Sequence, residues 1–106
     1  MHWLFLLIAG CFEVSWAVCL KYSAGFSRPM WVALTIVGSM LSFAFLALAM
    51  KALPFGPSYA LWTGIGALGT AILGVILFGD ALTVTRCLAM GLILAGVVLL
   101  KISVPN

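Results

Sequence analysis

Glu13 lies in the stretch IAGCFEVSWA, residues 8–17, inside the first long apolar run of the chain. A carboxylate placed mid-way through hydrocarbon costs about 2.5–3.5 kcal/mol to insert, so it must face protein or a water-filled cavity. No lysine or arginine lies at comparable depth in any apolar run. Within one copy of the chain, its charged partner is therefore a proton or a cationic ligand. A group that binds either one at the same oxygens is the chemical core of an exchanger: the arriving cation favours the ionised form, and the returning proton displaces the cation. The plainer role for such a residue is polar cross-linking between helices.

Helical spacing supplies Glu13 with neighbours. Gly10, Glu13, Trp16, Ala17 and Leu20 fall on one face at steps of three and four. In SYALWTGIGALGT, residues 58–70, Tyr59, Trp62 and Gly66 share another face, so two rings and a gap could wall a cavity. Gly64 and Gly66 flank Ile65, a density that permits either close helix approach or a bend. Ser42, on the second apolar run, is placed to donate a hydrogen bond to Glu13, or else to its own backbone. A small cation suits this set, because the carboxylate oxygens can pair with its charge. Ring faces add cation–π attraction of up to about 2 kcal/mol when desolvated.

The elements that must position these residues follow from composition. The chain is 66% hydrophobic and 7% charged, with a mean hydropathy of +1.35, far from the usual quarter charged of soluble domains. The expected fold is all-α: four transmembrane helices, at about 3–20, 30–50, 58–78 and 83–102, forming a single domain over 1–106. Pro29 suits the first turn of the second helix, Ser58 is the candidate cap of the third, and Thr83 or Asp80 that of the fourth. Trp3, Tyr22 and Trp31 lie near span ends, as interfacial aromatics do. The first run reads as a span rather than a cleaved leader, since no basic stretch precedes it and only ten residues precede Cys11 in IAGC.

Several function classes fall away. Cys11, Cys19 and Cys87 form no CxxC or histidine pairing, so neither disulfide nor metal is expected, and all three are read as small packing residues. No cofactor is implied. A net charge of +3 spread over loops makes no stripe for nucleic acid. No nucleophile–base pair stands beside Glu13, so an enzyme is not expected.

With the N-terminus inside, Lys51 and Lys101 lie on the cytoplasmic side against Lys21, Arg28 and Arg86 outside, a near-balance that gives almost no orientation preference. A chain so weakly biased could insert both ways, and its two populations could pair antiparallel. That pairing would build from two copies the inverted repeat that larger transporters carry in one chain. The fourth helix, with small residues at Gly91, Ala95 and Gly96, reads as the assembly surface.

The stretches AGCFEVSWAVCLKYSAGFSR (9–28) and LPFGPSYALWTGIGALG (53–69) resemble the small multidrug resistance family, over essentially the full chain, and YALWTGIGA is similar to its guanidinium exporter branch. The resemblance implies a dual-topology antiparallel homodimer of the bacterial inner membrane that exports guanidinium or substituted guanidinium cations against protons. It implies Glu13 of both subunits as the shared proton and substrate site, with Trp16, Ser42, Tyr59 and Trp62 lining the pocket. It further implies a helix bend at Gly64 to Gly66 and dimer contacts through the fourth helix. The likeness departs at Pro57, where a small or hydroxylated residue is expected. Two alternatives stand beside it: a broader quaternary-ammonium exporter of the same family, and a non-transporting membrane subunit that assembles with a larger partner.

Overall fold

Each apolar run becomes one helix in the computed structural model, which describes residues 2–104. The helices are α1 (His2–Tyr22), α2 (Pro29–Met50), α3 (Phe55–Phe78) and α4 (Val84–Ser103). All four are long and apolar enough to cross a membrane. At 1.5 Å per residue, the shortest, of 20 residues, spans roughly the 30 Å of a hydrocarbon core.

The helix ends follow local chemistry. Arg28 is extended before Pro29, the conformation a following proline favours, and Pro29 opens α2 where its missing N–H leaves no bond unmade. Thr83 caps α4, its hydroxyl accepting a hydrogen bond from the Arg86 amide at 3.1 Å. The expected cap at Ser58 is corrected: α3 begins at Phe55, after Pro54, and Ser58 lies inside its first turns with a buried hydroxyl. Pro57 makes this possible, because a proline in the first turn gives up a donor that has no intrahelical acceptor. At the other end Gly79 takes a left-handed conformation, with φ of 68°, and the Asp80 amide donates back to the Gly74 carbonyl at 3.1 Å.

The α1–α2 turn is tighter. Ala24, Gly25 and Phe26 all have positive φ, a conformation that costs a non-glycine residue about 1–2 kcal/mol. Ser23, fully buried, holds the turn by donating from its hydroxyl to the Leu20 carbonyl at 2.6 Å and accepting from the Phe26 amide at 3.2 Å. Tyr22 stacks on Trp31 at 4.8 Å and meets Phe78 at 5.1 Å, so the aromatics at this end also bind α1, α2 and α3 together.

The helices lie in the order α2, α1, α3, α4, with α1 packed between α2 and α3, and the backbone of α4 close to α3 alone. The result is a flattened layer of 43 × 34 × 17 Å. The apolar core, of Leu6, Ala9, Leu46, Ala49, Leu61 and Trp62, sits at the end of the layer where α1 begins and α2 turns into α3. At the same end the Lys101 ammonium lies 4.8 Å from the Trp3 ring centre and ties α4 to α1. No residue of α4 is buried. Cys11 and Cys87 lie exposed on the outside of the layer, which corrects their reading as packing residues, and Cys19 is half-buried.

Candidate functional site

Glu13 projects from the middle of α1 toward α3 and is half-buried. Its carboxylate lies directly on Gly66: a β-carbon built at Gly66 would occupy the place of the Glu13 carboxyl group. The same seam continues a turn to either side through close approaches at small residues. A β-carbon at Gly10 would stand 2.6 Å from Ile65 Cγ2, and one at Gly69 would strike Val14. α1 and α3 thus touch almost backbone to backbone, and the missing side chain at position 66 is the space that admits the acid.

Trp62 precedes Gly66 by four residues, placing its backbone roughly 6 Å further along α3. Its indole N–H donates to the Ser42 hydroxyl at 2.9 Å, and that hydroxyl in turn donates to the Ala9 carbonyl at 2.6 Å. Ser42 therefore has no proton left for Glu13, and the expected bond between them is not made. What the serine does instead is join α1, α2 and α3 through one fully buried oxygen. Tyr59 and Phe43 flank Trp62 at 5.5 and 5.7 Å between ring centres, and Tyr59 is half exposed.

Trp16 stands apart from this aromatic group, making no ring contact with Tyr59 or Trp62 among the described residues. It belongs to the α1–α2 contact, where a β-carbon at Gly38 would lie 2.9 Å from Trp16 Cβ. Its indole N–H is buried without a hydrogen-bond partner among the described residues. The structure thus brings Glu13 onto Gly66 and joins Trp62, Ser42 and Tyr59 in one group a turn away, while Trp16 packs on Gly38 of α2.

Helix α3 runs unbroken through Gly64 and Gly66, where a bend is the sequence expectation. Both glycines are buried and both admit a neighbour: Gly66 the Glu13 carboxylate, and Gly64 the Val97 side chain of α4, whose Cγ2 would be 2.6 Å from an added β-carbon. Gly91 and Gly96 on α4 face open space, with nothing within 4 Å of an added β-carbon, and Ala95 is exposed.

Comparison with known proteins decides the lineage. The family model for the small multidrug resistance protein matches residues 1–93. The chain belongs to the small multidrug resistance family. Relatives in that family include a guanidinium exporter of Yersinia pestis, 53% identical over 103 residues that cover 97% of this chain and 99% of that protein. A guanidinium exporter of Salmonella typhimurium is 52% identical, covering 97% and 98%, and one of Citrobacter freundii is 50% identical with the same coverage. As a member of this family with four membrane-crossing helices, the chain is a multi-pass protein of the bacterial inner membrane. The two features that sequence reasoning missed, the Gly66 seat for Glu13 and the Ala9–Ser42–Trp62 chain, both depend on which turn of one helix meets which turn of another. A glycine and a serine at those turns were visible, but their partners were not.

Proposed function

We propose that the protein exports guanidinium ion in exchange for protons, with the two competing for Glu13. The observation that carries this reading is the Glu13 carboxylate seated on Gly66, between two helices and, among the described residues, without a cationic side chain against it. A guanidinium ion would pair with the carboxylate as a fork and lie beside the Trp62 and Tyr59 rings. A proton arriving at the same oxygens removes the charge that holds the ion. The names of the relatives, each a guanidinium exporter, favour this ion over a quaternary ammonium, which could use the rings but has no donors for the fork. The Ser42 hydrogen bonds act as positioning contacts, fixing the Trp62 indole edge so that its ring face stays turned to the site.

A layer 17 Å thick cannot by itself surround an ion and open to two sides. We infer an antiparallel homodimer, built through the open faces of α4 at Gly91, Ala95 and Gly96, that brings two Glu13 carboxylates to a shared pocket. The dense glycines at Gly64 and Gly66 would let α3 flex as the pocket changes sides.

The test is proton movement triggered by guanidinium in liposomes holding the purified protein, with a tetra-alkylammonium as the comparison cation. The native chain should respond to guanidinium and the Glu13→Gln variant should not. Silence of the native, demonstrably dimeric protein toward both cations would overturn the transport reading in favour of an assembly subunit.

A further inference from the structure

Two turns beyond Glu13, the same seam opens into a cavity of about 160 Å³ lined by Ala17, Lys21, Thr70, Phe78 and Asp80 among its residues. The register is regular: Glu13, Ala17 and Lys21 succeed one another at four-residue steps on α1, as Gly66, Thr70 and Gly74 do on α3. Eight residues of helix are roughly 12 Å, so the cavity lies directly between the Glu13 seat and the membrane face that carries the α3–α4 turn. That turn folds the Asp80 carboxylate back onto Gly74, where an added β-carbon would collide with Oδ2.

The groups lining this cavity are those that hold a cation. Asp80 offers a carboxylate, Phe78 a ring face and Thr70 a hydroxyl. One cation is already there: the Lys21 ammonium stands 5.7 Å from the centre of the Phe78 ring. The other nearby base, Arg86 on α4, lines an adjoining cavity that Asp80 also faces, and its Nη1 donates to the Ala81 carbonyl at 2.6 Å. Neither base forms an ion pair with Asp80 among the described residues, so the carboxylate is close to positive charge yet not neutralised by contact. Guanidinium is an ion of four heavy atoms, and the cavity is several times the ~30 Å³ that a liquid water takes up.

We infer that this cavity is a second cation site, at which a guanidinium-type ion travelling between Glu13 and the membrane surface pauses on the Asp80 carboxylate and the Phe78 ring, with the Lys21 ammonium as a tethered competitor that limits its stay. The transport reading above supplies the identity of the ion; the site itself stands on its own geometry. Pairing here is with an exposed carboxylate, so occupancy is weak and exchange is fast, as a waypoint requires.

The chain contains two acidic residues, so in the Glu13→Gln variant Asp80 is the one remaining side-chain carboxylate. The full-length variant, labelled with carbon-13 aspartate and held in lipid nanodiscs, therefore gives one side-chain carboxyl resonance to follow. Titrating guanidinium chloride against sodium chloride of equal ionic strength should move that resonance saturably. Adding Lys21→Gln should lower the half-saturating concentration about threefold, the order expected when an exposed competing charge is removed. A shift no larger than that from sodium, or a half-saturation indifferent to Lys21→Gln, overturns the inference. In the otherwise native chain, Asp80→Asn should slow guanidinium-driven proton movement at low but not at saturating guanidinium; equal rates at both also overturn it. Loss of guanidinium-driven exchange in the native chain with the Asp80 titration intact would sink the transport reading alone.

Discussion

The carboxylate of Glu13 and the α-carbon of Gly66 share a contact that leaves no room for a β-carbon between them. The acid on α1 is therefore positioned by the absence of a side chain on α3, and the two positions form one unit.

Gly66→Ala should accordingly disable exchange without unfolding the protein. The added methyl has to push the carboxylate aside, and displacing a reacting group by about 1 Å costs on the order of 100-fold. Guanidinium-driven proton movement in liposomes should fall by that order, while the variant still migrates as the native assembly in detergent. Full exchange activity in Gly66→Ala would show that the acid works from another position.

Ser42→Ala should cost stability first. Removing the hydroxyl leaves the Trp62 indole N–H and the Ala9 carbonyl buried and unpaired, a penalty of about 1–3 kcal/mol. Thermal unfolding in detergent should report this loss, and Trp62→Phe combined with Ser42→Ala should recover part of it because the orphaned donor is then gone. A merely additive double variant would show that the hydrogen bond between the two side chains carries little.

Thr83→Ala should remove the cap of α4 and cost about 1 kcal/mol in the same assay, with Thr83→Asp keeping most of the stability. Exchange should be untouched, since the cap lies on the turn and away from the Glu13 seat. An exchange defect in a fully folded Thr83→Ala would place α4 register among the determinants of transport.

Gly91→Leu bears on assembly. Nothing in the protomer lies within 4 Å of an added β-carbon there, so the single chain tolerates the larger residue. If α4 joins two copies, overpacking of that surface costs about 1–3 kcal/mol, and the dimer fraction read by energy transfer between labelled copies should fall about tenfold. Unchanged association would place the dimer contact on another face.

The four membrane-crossing helices were legible in the sequence because each announces itself by a long run without charge, broken by turns such as KYSAGFSRP and KALPFGPS. Family membership was legible for a different reason, carried by the motifs around Glu13 and Trp62. The start of α3 was not, because Ser58 has the chemistry of a cap while Pro57 and Pro54 allow the helix to begin earlier. The partner of Ser42 was hidden for a geometric reason. Its depth in the second run matches both Ala9 and Glu13 on the facing helix, one turn apart, and only the packed backbone separates the two. Glycines 64 and 66 were ambiguous in kind: a pair this close can mean a hinge or a seam, and the structure shows close neighbours at both.

The apolar core, gathered where α1 begins and α2 turns into α3, makes the layer unequal along the membrane normal. Amides around Leu46 and Leu61 sit among the most deeply buried side chains and should be the last to exchange with solvent deuterium, whereas those near Tyr22 and Phe78 are secured by half-buried rings and the turn that Ser23 holds. The layer is thus more closely packed at one end than at the other. Set head to tail, two such protomers would give each face of the bilayer one closely packed end and one looser end, so that neither face is privileged over the other.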